Sequence, residues 1–455
     1  MPSPTPLSGY PEWLPAERAV EQSVVDTLRR TFELHGFAGI QTRAVEPMDQ
    51  LLRKGEIDKE VYVLRRLHAD EADAGTPDPS RQLGLHFDLT VPFARYVLEH
   101  AGRLEFPFRR YQIQKAWRGE RPQEGRYREF CQADIDVVDK DTLPFHYEVE
   151  IVEVMAAAFA GLPLPALRMQ VNNRKLVQGF YRGLGIEDVA AVLRVVDKID
   201  KIGAGAVNTA LVDTVGLSAR QAASCLQLAQ ISGSDASVVD RVRALGVRGD
   251  ELDTGLHELA LLLDGARGAI REGFDLVADL RIARGLDYYT GTVYETQMAG
   301  FEHLGSVCSG GRYDALASDG RTTYPGVGIS FGVTRTLAPL LSRGLLTASR
   351  STPTCVLVAL ADEDSRPASR AVAAALRSRG VAAEVAPAAQ KYGKQIRFAQ
   401  RRGIPFVWFP PDASGDGTSS VRDIRSGEQV PADAESWLPP ASDLRQQVVV
   451  QDAGG

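Results

Sequence analysis

The stretch Phe108–Val138, "FRRYQIQKAWRGERPQEGRYREFCQADIDVV", predicts the architecture of the first part of the chain. Residues 108–120 and 127–138 are each rich in aromatic and β-branched residues, which is typical of strands. The joint between them, "RPQEGR", is polar and basic and contains Pro122 and Gly125, as a long hairpin loop would. We therefore expect an antiparallel hairpin within a mostly antiparallel sheet.

Outward from this hairpin, the sequence predicts an α+β chain of several parts. Residues 16–35 predict an amphipathic helix, and residues 85–97 predict a strand that runs into a helix. Helical periodicity without proline then predicts an insertion, and a βαβ pattern after a polar joint predicts a small α/β domain. The expected boundaries are 1–173 and 276–345 for the two parts of the sheet domain, 174–275 for the helical insertion and 352–455 for the last domain.

Composition excludes several classes of protein. The chain has 455 residues, of which 44% are hydrophobic and 24% charged, as in ordinary globular proteins. No apolar run approaches the roughly 18 residues of a membrane span, and the N-terminus does not resemble a signal peptide. The four cysteines are far apart in the sequence, which predicts neither a disulfide framework nor a zinc site. We expect a cytoplasmic protein without a membrane partner.

The net charge of −7 argues against general coating of nucleic acid, although a local basic surface is compatible with it. Two segments depart from the acidic average. Residues 109–128 hold seven basic residues against Glu120 and Glu124, and residues 391–402 hold five basic residues and no acid. We expect these segments to meet anionic ligands, unless they form solvated charged faces.

The segment "RGERPQEGRYREF" (118–130) suits a polyanionic ligand. Arginine makes planar, bidentate contacts to phosphate, and clustered arginines favour anions or water. Phe130 could stack on a base, or it could be an ordinary core residue. The alternative for the whole segment is a solvated charged hairpin.

Two polar patterns predict a pocket for a small ligand. Asp88 and Thr90 lie two residues apart on a predicted strand, so they would share a face and could hold an ammonium group. The alternative is that Asp88 caps the following helix. Gln132, Asp134 and Asp136 also share one strand face, which either meets solvent or lines a polar pocket.

Glycine-rich segments follow later in the chain. Gly310-Gly311, in "GSVCSGGRYDAL" (305–316), allow either a close backbone approach to a ligand or a tight turn. The segment "GVGISFGVTR" (326–335) predicts a strand running into a helix, with Arg335 one residue inside. An arginine near a helix N-terminus opposes the helix dipole, so we expect an anionic partner for it.

The segment "RGLDYYTGTVYE" (284–295) combines strand-forming residues with an arginine, an aspartate and two phenols. On a regular strand, alternation would place Tyr288 and Tyr289 on opposite faces. A bend near Gly285 or Gly291 would be needed to bring both tyrosines to one ligand.

Taken in this order, these motifs resemble the histidyl-tRNA synthetase family of class II aminoacyl-tRNA synthetases, over nearly the whole chain. The resemblance implies a six-stranded antiparallel catalytic sheet, a homodimer and a C-terminal α/β anticodon-binding domain. It also implies activation of L-histidine with ATP, followed by transfer of histidine to its tRNA. Mg²⁺ is expected with the ATP, but no metal ligand is identifiable.

The resemblance assigns roles to individual residues. Arg284 and Arg118 would neutralise the α-phosphate during the reaction, and Arg284 would also meet the histidine carboxylate. The implied histidine-binding residues are Asp88, Thr90, Gln132, Asp136, Arg284, Tyr288 and Tyr289. The implied ATP-binding residues are Arg118, Glu120, Arg126, Phe130 and Arg335. In the last domain, the basic helix with Lys394, Arg397 and Arg401 is the candidate contact for tRNA.

Departures from the family pattern lie outside these residues. Arg43 stands where the family has a proline in its dimer-forming motif, Ser309 replaces a glycine, and Thr334 stands where an acid is common. Two rival interpretations are a catalytically inactive paralogue, such as the synthetase-like regulatory subunit of histidine biosynthesis, and a histidine-sensing or RNA-binding module. The presence of Arg118, Arg284, Arg335 and the last domain argues against the paralogue.

Overall fold

The computed structural model describes residues 5–52, 61–67, 82–282, 288–411 and 418–451. The chain divides into two compact units, of which the first comprises Met1–Pro11 and Val24–Pro339 and the second comprises Glu12–Ser23 and Leu340–Gly455. Within the described residues, no helix is both long enough and apolar enough to cross a membrane.

The first unit contains the hairpin and the sheet around it. Its strands are β1 Ala38–Gly39, β2 Val45–Pro47, β3 Val63–Leu64, β4 Leu83–Leu85, β5 Phe108–Trp117, β6 Glu129–Val138, β7 Leu167–Asn173, β8 Ser232–Gly233, β9 Phe274–Asp279, β10 Thr292–Met298, β11 Cys308–Tyr313 and β12 Gly326–Gly332. Its helices are α1 Pro15–Leu34, α2 Met48–Leu51, α3 Thr90–His100, α4 His146–Ala160, α5 Arg174–Gly183, α6 Val189–Val196, α7 Ile199–Asp213, α8 Ala219–Ala229, α9 Ser237–Arg243, α10 Asp250–Gly265 and α11 Val333–Ser342, with α1 and α11 each running across a boundary between the units.

The main sheet has the strand order β1-β5-β6-β12-β11-β10-β7-β9-β8. Its six central strands, from β5 to β7 in that order, all pair antiparallel. The predicted hairpin is confirmed, since β5 pairs β6 along ten residues and places Arg110 opposite Asp136. The antiparallel sheet and the hairpin therefore agree with the expected class II architecture.

Apolar residues of α1 and α4 form part of the core of this unit. Val24, Leu28 and Phe32 form the predicted stripe of α1 and are at most 1% exposed. Helix α4 follows the hairpin and buries most of its length, including Ile151 and Met155.

Helices dominate between β7 and β9, as the sequence predicts for an insertion. Asn173 begins this region as the N-cap of α5, where its side chain accepts hydrogen bonds from the backbone N–H groups of Lys175 and Leu176. Strand β9 then returns to the main sheet beside β7. The insertion boundaries at 174 and 275 stay a prediction.

Two predicted strand positions are wrong. Strand β4 ends at Leu85 and α3 begins at Thr90, so Asp88 and Thr90 do not share a strand face. The carboxylate of Asp88 accepts the backbone N–H of Val91 at 3.1 Å, which is the capping role named as the alternative. Similarly, β10 begins at Thr292, so the two tyrosines precede the strand and strand alternation does not apply to them.

The second unit has the predicted α/β arrangement. Its strands are β13 Leu346–Ala348, β14 Val356–Val358, β15 Ala383–Val385, β16 Phe406–Phe409, β17 Ser420–Asp423, β18 Gln429–Pro431 and β19 Val448–Val450, and its helices are α12 Arg366–Ser378 and α13 Tyr392–Arg402. Strand β14 pairs parallel with β15 and β16, and β17 and β18 add antiparallel strands at one edge. Val358 and Trp408 are fully buried in its core.

Candidate active site

Two adjoining pockets open on the central strands of the main sheet. The first has a volume of about 100 Å³ and is lined by Asp88, Thr90, Arg118, Gln132, Asp134, Asp136, Tyr288, Tyr289, Ser309, Gly310, Tyr313, Gly328, Ile329 and Ser330. The second has a volume of about 120 Å³ and is lined by Arg118, Glu120, Gly125, Arg126, Tyr127, Phe130, Gln132, Ser306, Val307, Ser309, Ser330, Gly332 and Arg335. Four residues line both pockets, namely Arg118, Gln132, Ser309 and Ser330.

The structure brings the predicted residues together in two groups. All described residues that the sequence assigns to histidine line the first pocket, and all those assigned to ATP line the second. Arg284, which was assigned to both catalysis and histidine binding, lies outside the described residues. The shared face of Gln132, Asp134 and Asp136 lines a polar pocket, which decides between the two alternatives left open for it.

Asp136 is held from two sides at the floor of the first pocket. The hydroxyl of Tyr313 donates to its Oδ1 at 2.7 Å, and Nη2 of Arg110 lies 2.5 Å from its Oδ2. Arg110 is fully buried, with its guanidinium carbon 4.3 Å from the centre of the Phe93 ring. Gly328 lies opposite Asp136 on β12, where a Cβ atom would come within 2.0 Å of the carboxylate.

Asp134, to which the sequence motifs assign no role, is a second buried carboxylate in this pocket. It is 2% exposed, it accepts a hydrogen bond from the hydroxyl of Ser330, and its Oδ2 lies 4.0 Å from Nη2 of Arg110. Burial raises the pKa of Asp134 to about 7, with the neighbouring Asp136 adding to the shift and Arg110 opposing it.

Tyr313 and Arg110 were also missed by the sequence analysis. For Arg110 a signal exists, because an in-register hairpin places it directly opposite Asp136. For Tyr313 the neighbouring Gly310 and Gly311 pointed to this segment without identifying the phenol.

The tyrosine pair forms one wall of the first pocket. The ring centroids of Tyr288 and Tyr289 are 4.1 Å apart, with 37° between the ring planes. Tyr289 lies against Gly311, where a Cβ atom would come within 2.8 Å of the tyrosine ring. Burial raises the pKa of Tyr288 well above its ordinary value, so its hydroxyl stays protonated at neutral pH.

The second pocket has an arginine-rich wall. Nε of Arg118 donates to the carbonyl oxygen of Phe87 at 3.0 Å, and its guanidinium carbon lies 5.1 Å from the centre of the Phe130 ring. The carboxylate of Glu120 lies 3.8 Å from Arg118 and 3.6 Å from Arg126. These contacts fix Arg118 between the two pockets, where it can meet anions in either.

Arg335 is placed differently from the expectation. Helix α11 begins at Val333, so Arg335 is its third residue, and its guanidinium donates to the carbonyl oxygen of Leu304. Leu304 also packs against Gly125 of the hairpin loop, where a Cβ atom would come within 2.9 Å of it. An anionic partner for Arg335 stays a prediction.

Part of the basic segment 109–128 does not form the expected surface. Besides the buried Arg110, Arg109 makes an ion pair with Glu150 and donates to the carbonyl oxygen of His35 at 2.8 Å. Both arginines are therefore structural. Of the arginines in this segment, Arg118 and Arg126 line the pockets.

The basic helix α13 of the second unit lines a cavity of about 410 Å³. Lys394, Arg397 and Arg401 are exposed on one side of this helix, with Phe398 beside them. Gln395 anchors the helix, since its amide donates to the carbonyl oxygen of Leu360 and accepts from the Leu360 N–H. Across the described part of the chain, no group of three or more His, Cys, Asp or Glu side chains could hold a metal ion.

Comparisons with known proteins identify the family of the chain. A family model described as histidyl-tRNA synthetase matches residues 9–336, and one described as anticodon binding domain matches residues 354–438. A histidine–tRNA ligase of Cutibacterium acnes is 60% identical over 98% of both chains, and one of Micrococcus luteus is 59% identical over 97% of this chain and 98% of its own. The crystal structure of histidyl-tRNA synthetase from Nostoc sp. PCC 7120 superposes with a TM-score of 0.84 at 34% identity, covering 95% of this chain and 97% of the other. The chain therefore belongs to the histidyl-tRNA synthetase family.

Proposed function

We propose that this chain activates L-histidine with ATP, forming histidyl-adenylate and pyrophosphate, and then transfers histidine to the 3′ end of histidine tRNA. The observation that carries the proposal is the pair of adjoining pockets with Arg118 in their common wall. An acidic pocket beside an arginine-rich pocket suits a cationic amino acid that must react with a nucleoside triphosphate.

The reaction joins two anions, so positioning and charge stabilisation are the main tasks of the protein. The carboxylate of histidine attacks the α-phosphate of ATP, and pyrophosphate leaves on the opposite side. Arg118, together with Arg284, would neutralise the charge that builds on the α-phosphate. No protein group needs to remove a proton in this step, because the carboxylate is already ionised.

The first pocket would select histidine through its imidazole ring. The imidazole has two nitrogens, and each can be fixed by a hydrogen bond. Asp136 and Tyr289 would hold them, and Tyr313 and Arg110 would orient the carboxylate of Asp136. Other side chains would leave these buried groups unpaired, which supports rejection by roughly 10⁴-fold.

The α-ammonium group would lie near Asp88, Thr90 and Gln132. The carboxylates of Asp88, Asp134 and Asp136 belong to the first pocket. Asp88 and Asp136 line this pocket beside Gln132, so carboxylate and amide oxygens are available to an ammonium group. Such oxygens accept hydrogen bonds from an ammonium group, which donates three.

The second pocket would hold ATP. Adenine would stack on Phe130, and Arg126 and Arg335 would contact the phosphates. Mg²⁺ would arrive with the triphosphate, because it prefers phosphate and water oxygens and needs few protein ligands. Glu120, the carboxylate that lines this pocket in the described part of the chain, fits such a site.

The second unit would bind the anticodon stem-loop. Exposed Lys394, Arg397 and Arg401 can meet backbone phosphates, and Phe398 in the same cavity can stack on an unpaired base. By analogy with the family, we also propose a cytoplasmic homodimer with the division into catalytic, insertion and anticodon-binding domains predicted above.

Histidine-dependent exchange between ATP and labelled pyrophosphate tests the activation step, and charging of histidine tRNA tests the transfer step. The proposal expects both activities. No exchange at saturating histidine would refute the enzyme and favour a regulatory paralogue or a sensing module. Exchange without charging would indicate that histidine is loaded onto another acceptor.

A further inference from the structure

Three polar side chains in the wall of the first pocket form hydrogen bonds that all run in one direction. Nε2 of Gln132 donates to the hydroxyl oxygen of Ser330 at 2.7 Å. The same hydroxyl donates its proton to the carboxylate of Asp134. These hydrogen bonds connect β6 with β12, where Ser330 is the direct cross-strand partner of Asp134.

The direction of these hydrogen bonds follows from the ionised carboxylate of Asp134. An ionised carboxylate accepts hydrogen bonds but cannot donate one, so the Ser330 proton must point toward it. The lone pairs of the Ser330 hydroxyl can then accept a hydrogen bond, and the NH₂ group of the Gln132 amide donates it. The carbonyl end of the amide must consequently face away from Ser330.

The carbonyl oxygen of Gln132 still needs a partner. It is buried, and it accepts no hydrogen bond within the described residues. Gln132 lines both pockets, so a bound ligand can provide the missing donor. A buried acceptor without a partner is costly, which favours a ligand that carries N–H groups at this point.

We propose that Asp134 and Ser330 are positioning residues that fix the amide of Gln132 with its carbonyl oxygen toward the α-ammonium group of histidine. This inference rests on the proposed function, because it takes histidine as the ligand of the first pocket. It assigns Asp134 a role through Gln132 rather than a direct contact with the substrate. Reversal of the amide would present an NH₂ group to a cation, which is repulsive.

The arrangement requires an ionised Asp134. Its pKa is raised to about 7 by burial, so the carboxylate is ionised at pH 8. The charged groups that face it are Arg110 from β5, Asp136 on its own strand and Asp88 from the segment before α3. Binding is therefore best measured at pH 8.

The test is a double-mutant cycle on the full-length chain, with the dissociation constant of histidine as the readout. Asp134→Asn keeps the shape of the side chain but can donate to Ser330, which removes the fixed direction. With Ser330 present, we expect Asp134→Asn to weaken histidine binding by about 10- to 100-fold, the range for a hydrogen bond to a charged group. Combined with Ser330→Ala, the same change should cost a factor at least about threefold smaller, because the coupling through Ser330 is then absent.

The comparison of the two backgrounds separates the alternatives. Effects of Asp134 on local charge or on Arg110 occur in both backgrounds and cancel in the cycle. If Asp134→Asn costs the same factor, within twofold, with and without Ser330, the positioning role is refuted. If Ser330→Ala does not fold, Gln132→Leu replaces it, since removal of the amide must also abolish the effect of Asp134→Asn.

The matched control is Asp139→Asn, at the residue that follows the last residue of β6. Asp139 is partly exposed and accepts the backbone N–H of Lys140, so histidine binding should stay within twofold of the wild type. A wild-type chain without histidine-dependent exchange would refute the proposed function itself. A wild-type chain that binds histidine while the cycle shows no coupling would refute only the positioning role.

Discussion

Replacement of Asp136 by alanine should destabilise the first unit strongly, because it leaves the buried charge of Arg110 without its close ion-pair partner. Arg110 is fully buried, and its ion pair with Asp136 is the close one. Removal of one partner of a buried pair costs about 3–5 kcal/mol. The hydroxyl of Tyr313 would lose its acceptor as well, which costs about 1–3 kcal/mol.

Part of this cost is recoverable, since Asp134 lies 4.0 Å from the same guanidinium nitrogen and can move toward it. We therefore expect Asp136→Ala to lower the free energy of unfolding by about 3–5 kcal/mol in total. The measurement is urea unfolding of the ligand-free chain at pH 8. The control is Asp139→Ala, which removes a partly exposed carboxylate and should cost less than about 1 kcal/mol.

A second variant tests the cause. The double change Arg110→Met and Asp136→Ala removes the stranded charge together with its partner, so it should recover at least half of the loss. A loss below about 1 kcal/mol for Asp136→Ala, or a double variant less stable than the single one, would refute the reasoning. Histidine binding by Asp136→Ala is a poor probe of specificity, because unfolding would change it too.

Three further outcomes are expected. Tyr289→Phe should raise the KM for histidine about 10-fold or more and change the KM for ATP less than twofold, and equal changes in both would contradict its assignment to the imidazole. Simultaneous alanine replacement of Lys394, Arg397 and Arg401 on α13 should weaken tRNA charging and leave pyrophosphate exchange intact. An equal fall in exchange would mean that these residues do not act through tRNA binding. Because the pKa of Asp134 is raised to about 7 from about 3.9 in the unfolded chain, the native state binds the extra proton and loses stability as the pH rises from 4 to 7. Asp134→Asn should therefore gain stability relative to the wild type more at pH 8 than at pH 5, as measured by urea unfolding, and the opposite sign would contradict the shift.

The hairpin could be predicted from sequence because its signals are local. Strand-forming residues, a turn with Pro122 and Gly125 and the polar alternation of β6 all agree with one structure. The same kind of local signal wrongly predicts a strand at Thr90, because Thr90 and its neighbour Val91 are β-branched. Pro92 lacks an N–H and suits the first turn of a helix. The hydrogen bond from the Val91 N–H to Asp88 stabilises the start of α3, so a helix forms instead of a strand.

Burial of charge could not be predicted in the same way. Arg109 and Arg110 look alike in sequence and were counted with the arginines of the loop. Their partners, Glu150 and Asp136, are distant in the chain, and the contacts depend on strand register and helix packing. Local composition does not contain that information. The direction of the Gln132 amide depends likewise on Ser330, nearly two hundred residues later.

The glycines beneath the first pocket have a consequence for anyone who would alter the amino acid that the chain accepts. Side chains at Gly328 and Gly311 would occupy the space of the Asp136 carboxylate and the Tyr289 ring, so these positions can only remain empty. A variant library that randomises every position in and beneath this pocket would therefore contain many variants that do not fold. Diversity belongs instead at Ser309, which borders the same space and has no assigned contact with histidine.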